Sequence, residues 1–258
     1  MNPLQLAIFM SVALFVGLLV CLEVGYRIAR RSSSKNAELT HEGIGVIEAA
    51  VFALLGLLLG FSFAGGMSRL DARRQMIVQE VNAIGTAYLR LDLLPAANQP
   101  EMRDLFRQYL DTRLRAYEKI PDLDATDQEL ARASQISKEI WTRGVSYSAA
   151  DPSHDATRLL LPAINEMIDI TTGRTLAIHT HLPALIFFLL VTVSLLSGLM
   201  AGYAMQKRQR RSLLHMVLYA AAIAATLYVV LDLDYPRHGL IRLDVADRSL
   251  QQLRDSIR

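Results

Sequence analysis

Cysteine and tryptophan are nearly missing from this chain, with one of each in 258 residues. A lone Cys21 closes no internal disulfide and supplies no thiolate zinc site. Lipoprotein processing wants a small residue where Val20 stands, so Cys21 is expected to pack as a small hydrophobe. An excess of one charge is also missing. A formal net charge of +2 gives no reason to expect nucleic acid or an acidic substrate as a partner. No segment alternates apolar and polar residues as a half-buried strand does, and no hairpin signal appears.

The enzyme motifs are absent too. There is no G-x-S-x-G elbow, no P-loop and no H-E-x-x-H; His41-Glu42 stands alone, and Gly43 and Gly45 follow no strand. His179 and His181 are two apart, which points them to different helix faces and spoils a shared metal. Asp232 and Asp234 read as a solvated helix end, and Trp141 as a helix-packing or interfacial aromatic. The reading is no enzyme, no cofactor and no metal.

Apolar residues fill the space these absences leave. The chain is 52% hydrophobic, with a mean hydropathy of +0.26. Four runs are long enough to cross a bilayer, at about 4–25, 44–67, 183–203 and 213–231. A cleaved signal peptide is not expected, because the N-terminus lacks positive charge and no A-x-A-like site follows the first run.

Two short loops are basic, one with Arg27, Arg30, Arg31 and Lys35, the other with Lys207, Arg208, Arg210 and Arg211. The positive-inside rule puts both in the cytoplasm, which leaves residues 68–182 and the C-terminus in the periplasm of a bacterial inner membrane. Residues 68–182 carry 14 Lys+Arg and 16 Asp+Glu and read as helices throughout. Thr126 and Glu129 form a capping-box pattern, Asp151-Pro152-Ser153 a break, and residues 243–257 an amphipathic helix expected to pack on the middle helices. The fold class is all-α: a membrane-spanning pair (1–67), an extramembrane helical region (68–182), a second pair (183–231) and a C-terminal helix (232–258).

The organising stretch is Ile44–Leu94. Its apolar first half leads without proline into an amphipathic half with apolar residues at 77, 81, 84, 88 and 91, so one long helix is expected, ended by Pro95. Gly65-Gly66 could be a hinge or a close contact. Ala49, Ala53, Gly56, Gly60 and Ala64 form a small-residue stripe, and Ser194, Gly198 and Gly202 another. Each suits contact within one bundle or between subunits. A different face carries Glu48, Phe52, Leu55, Leu59, Ser62, Gly66, Arg69 and Arg73. It suits a pore with charged rings at Glu48 and Arg69, or equally a helix whose charges merely reach each interface, which needs no pore.

The segment GLLLGFSFAGGMSRLDARRQMIVQEVNAIGTAYLRLDLLP, residues 56–95, resembles the signature of a bacterial family with a bestrophin-like domain of unknown function. Within it, Arg73, Arg74, Glu80, Asn82, Gly85, Thr86 and Arg90 are the polar or special residues. The four-span layout with a helical insert agrees over most of the chain. More remotely it is similar to bestrophins proper, pentameric anion channels whose second span lines the pore. This chain shows no acidic cluster matching their calcium clasp. Their helical region is cytosolic, whereas the charge rule places this one outside.

The resemblance implies a homo-oligomer in the lipid bilayer that passes small inorganic ions along the second span, with five subunits by that analogy. The other reading is a non-conducting structural, sensory or partner-binding protein acting through its extramembrane helices.

Overall fold

The computed structural model describes residues 3–31, 41–119, 122–149, 155–178, 180–207, 212–235, 241 and 244–257. Lys35, Arg208–Arg211, the Asp151–Ser153 break and His179 lie outside the described residues. Among those described, every element is helical and no strand occurs. The helices are α1 (Pro3–Arg31), α2 (His41–Leu89), α3 (Gln99–Glu118), α4 (Leu123–Ala149), α5 (Leu161–Ile178), α6 (Ala184–Lys207), α7 (Leu213–Asp234) and α8 (Asp244–Ser256). A 3-10 turn, Arg90–Leu93, follows α2, and a π turn, Ala156–Leu160, precedes α5.

Four helices are long and apolar enough to cross a membrane, at Leu4–Arg31, Gly45–Leu93, Ala184–Met205 and Leu213–Asp234. The 49 residues of α2 run to roughly 70 Å at about 1.5 Å per residue, more than twice a bilayer's hydrocarbon core. The helix runs unbroken through Gly65-Gly66.

The chain divides into two compact units. One holds residues Met1–Arg69 and His181–Ile241, the other Leu70–Thr180 and Arg242–Arg258.

In the first unit α1 packs most closely on α6 and then on α7. A core of Leu14, Leu18, Leu190, Ala220 and Leu227 joins them. The close approach of α1 and α6 depends on two glycines. A Cβ at Gly25 would lie 2.0 Å from the Leu199 carbonyl oxygen, and one at Gly202 would lie 2.0 Å from that of Leu22. Ser212 caps α7 by accepting the His215 backbone N–H at 3.5 Å and sharing a hydrogen bond with its Nδ1 at 2.7 Å.

The second unit is built on the amphipathic half of α2. Ile77, Ile84, Tyr88 and Leu91 of its stripe are buried, as expected, and Val81 is partly so. Ile84, Tyr88 and Leu91 share one core with Met102, Phe106, Tyr109 and Leu110 of α3, Ile140 of α4 and Ile164 of α5. Helix α8 joins this core through Leu250, Ile257 just beyond its end packs there too, and Arg254 pairs with Asp111 of α3 at 2.5 Å.

Two expectations are corrected here. The cap of α4 is Asp122 and not Thr126: its carboxylate accepts the Ala125 N–H at 3.0 Å, which leaves Thr126 buried inside the helix. Asp232 and Asp234 are buried rather than solvated. Trp141 lies on α4 and is 37% exposed.

Candidate functional site

The charged and apolar face of α2 expected to line a pore is turned toward the chain's own helices. Phe52 meets Tyr219 edge-to-face at 6.2 Å, Leu59 packs on the α1–α6–α7 core, and Leu55 and Ser62 are buried. A Cβ at Gly66 would stand 3.2 Å from that of Leu233, so this glycine seats α2 against α7.

Arg69 donates its Nε to Asp234 at 3.1 Å. The same carboxylate accepts the Leu182 backbone N–H at 2.9 Å, and His181 lies 3.5 Å from it, stacked on Tyr235. Asp232 accepts the Ile241 N–H at 3.0 Å. These two carboxylates can be buried because each receives donors from the chain turns beside it. In the second unit Arg73 donates to the carbonyls of Ala177 (3.3 Å) and Thr180 (2.7 Å). Glu48 is half-buried beside α1 and α6.

Arg69 is thus held by Asp234 of its own chain, and Glu48 sits half-buried against α1 and α6.

The two small-residue stripes separate. Ser194 is buried on the α6 stripe, a Cβ at Gly198 would lie 3.0 Å from Leu18 Cδ2, and Gly202 touches Leu22, so this stripe is used within the chain. On α2, Ala49, Ala53, Gly56, Gly60 and Ala64 are all exposed, and nothing lies within 4 Å of a Cβ built at Gly56 or Gly60.

The uncovered side of α2 is wider than that stripe. Only 11% of its most apolar window is buried, against 28% in each other span. Beside the small residues runs a second exposed line, Leu57, Phe61, Ala64 and Ser68, at helical spacing; Leu57 is 53% exposed and Phe61 67%.

The second unit contains a feature that sequence reading missed. Glu80, fully buried, accepts Arg113 Nε at 2.7 Å through one oxygen and Arg174 Nη1 through the other. Arg113 also donates to the Tyr117 hydroxyl, and the Tyr117 ring lies 3.8 Å from the Arg174 guanidinium carbon and 5.1 Å from that of Arg113. Tyr109 shares a hydrogen bond with Thr171 at 2.7 Å. Burial pushes the Tyr109 phenol up to about 12 and raises the Tyr117 phenol too, so both stay protonated near neutrality. The cluster ties α2, α3 and α5 together. Its legible signals were Glu80, one of the polar residues of the 56–95 segment, and an arginine on the apolar face of α3, four residues from both Tyr109 and Tyr117.

The remaining signature residues are peripheral. Arg74 pairs with Asp71 in solvent, Arg90 donates to the Leu159 carbonyl at 2.7 Å, and a Cβ at Gly85 would meet Leu253 at an ordinary 3.5 Å. Asn82 and Thr86 line an open groove of about 560 Å³ with Gln79, Asn165, Glu166 and Asp169. Among the described residues no group of three or more His, Cys, Asp or Glu could hold a metal ion.

Comparison with known proteins places this architecture. A bacterial bestrophin homolog from Klebsiella pneumoniae aligns with a TM-score of 0.61 at 16% identity, over 96% of this chain and 98% of that one. A single-substitution variant of a Klebsiella pneumoniae bestrophin homolog gives 0.64 at 14% identity, over 95% and 98%. Another solved membrane protein gives 0.65 at 14%, over 93% and 98%. At these identities the likeness is one of fold. Compared by sequence with curated proteins, the chain matches none. The family model of the bestrophin-like domain matches residues 5–246, nearly the whole chain, and the protein belongs to the bestrophin-like family.

Proposed function

We propose that this protein assembles with copies of itself in a bacterial inner membrane and that α2 lines a path for small inorganic ions between them. The observation that carries this reading is the uncovered side of α2, the span least buried by its own chain. Lipid alone would not call for a glycine-bearing stripe; a neighbouring helix would, since small residues let backbones approach closely.

With Ala49, Ala53, Gly56, Gly60 and Ala64 against the neighbouring copy, the adjoining line of Leu57, Phe61 and Ser68 faces the path. Leu57 and Phe61 then form apolar rings, a type of constriction that gates by dewetting. No charged residue falls on this line between Val46 and Ser68, so ion sign is set elsewhere. Bestrophins proper suggest five subunits. The basic loops favour a topology with residues 68–182 and the C-terminus in the periplasm.

Flux of small ions from liposomes holding the purified protein tests the reading. Release above that of empty liposomes supports it, and its absence under varied voltage, pH and tension removes it. The open groove around Asn82 and Thr86 favours the second reading, a non-conducting protein that binds a partner through its extramembrane helices.

A further inference from the structure

A cavity of about 240 Å³ lies beside Glu48 in the spanning unit, lined by Gly25 and Ile28 of α1, Glu48 of α2, and Leu199, Met200 and Tyr203 of α6. Its inner wall is fixed, because the backbones of α1 and α6 meet at Gly25 and Leu199 and can come no closer. The slot is smaller than the roughly 300–1,000 Å³ of a drug-sized site. It has room for a length of one acyl chain.

Glu48 is the only acidic residue on the wall, and among the described residues it has no ion pair. A carboxylate one turn inside an apolar run is costly unless a cation or water reaches it. The free cations nearby belong to α1. Arg31 follows Ile28 by three residues, which puts it on the same side of the helix, roughly 4.5 Å farther along the axis. Arg30 and Arg31 are both exposed and have no ion pair among the described residues.

An apolar slot, a carboxylate and a guanidinium thus stand within about one helical turn at the membrane boundary. A ligand matching all three has an apolar chain and carries a cation and an anion a short distance apart.

We propose that this slot binds phosphatidylethanolamine. Its ammonium donates to Glu48, its phosphate takes Arg31, and part of one acyl chain fills the space between Ile28, Leu199 and Met200. A phospholipid with no ammonium leaves Glu48 unmatched. The site does not depend on ion conduction.

The test is native mass spectrometry of the full-length protein taken from vesicles of equal phosphatidylethanolamine and phosphatidylglycerol. The expected ratio of tightly bound lipids favours phosphatidylethanolamine about tenfold over the vesicle, the worth of one charge-assisted hydrogen bond. Glu48→Gln should return the ratio to that of the vesicle with melting unchanged, and Met200→Trp should lower the count of both lipids. If Met200→Trp fails to fold, Glu48→Gln decides alone. A wild-type ratio equal to the vesicle's, or enrichment that survives Glu48→Gln, would overturn the proposal.

Discussion

Arg113 donates its Nε to Glu80 across 2.7 Å, and neither side chain reaches water. With Arg174 on the other oxygen, the carboxylate joins three helices of one unit through charges that have no solvent to fall back on. Removing one partner of such a pair strands the other in a low-dielectric core, a loss of about 3–5 kcal/mol. Arg113→Met should therefore lower the melting temperature of the helical signal sharply. Arg74→Met, which breaks an exposed pair with Asp71, should cost less than about 1 kcal/mol. Equal small losses would mean that the buried cluster does not hold the helices together.

Tyr109 makes the same unit sensitive to alkali. A tyrosine phenol ordinarily titrates at 10.0, and burial raises this one to about 12. The folded state thus favours the neutral form. That contribution is complete below pH 10 and is lost as pH rises from 10 toward 12. Unfolding followed by circular dichroism should show stability falling across this window. Tyr109→Phe should be less stable at neutral pH, having lost the Thr171 hydrogen bond, and flatter across the same alkaline range. An unchanged slope would assign the alkaline loss to other groups.

The glycines of the spanning unit fall into two classes. Gly202→Leu drives a side chain into the Leu22 backbone and should cost several kcal/mol, on the order of other severe overpacking changes or more. Gly56→Leu adds its side chain from a Cβ with nothing within 4 Å. It should leave the helical content of the detergent-solubilised protein unchanged while weakening self-association, read by light scattering. Intact oligomers in Gly56→Leu would remove this stripe from the contact between copies.

Topology has a direct readout. In a Cys21→Ser background, a membrane-impermeant thiol reagent added outside the inner membrane should label Ser134→Cys, which is exposed on α4, and spare Ser33→Cys. The reverse pattern would put the helical unit in the cytoplasm.

Much of this fold is legible in the sequence because hydropathy and helical period act locally. The four spans, the unbroken passage into Ile77, Ile84, Tyr88 and Leu91, and the docking of α8 by Leu250 and Ile257 all follow from them. The site was less legible. Periodicity divides α2 into faces, but it does not say which one the chain itself covers. On the face with Glu48, Leu55 and Arg69, Leu55 is buried and Arg69 is held by Asp234. Arg113 and Arg174 escaped notice, and Asp232 and Asp234 were read as solvated, for a related reason. Charges on helices are usually solvated, and only the partner brought from another element makes their burial tolerable.

Copies of α2 meeting around an ion path narrowed by Leu57 and Phe61 can be tested by single-channel recording in planar bilayers, comparing the wild-type protein with Phe61→Ala. A conducting wild-type protein and a several-fold larger unitary conductance in Phe61→Ala are expected, since shortening the ring widens and wets the constriction. A silent wild-type protein, or a conductance untouched by Phe61→Ala, would contradict that path.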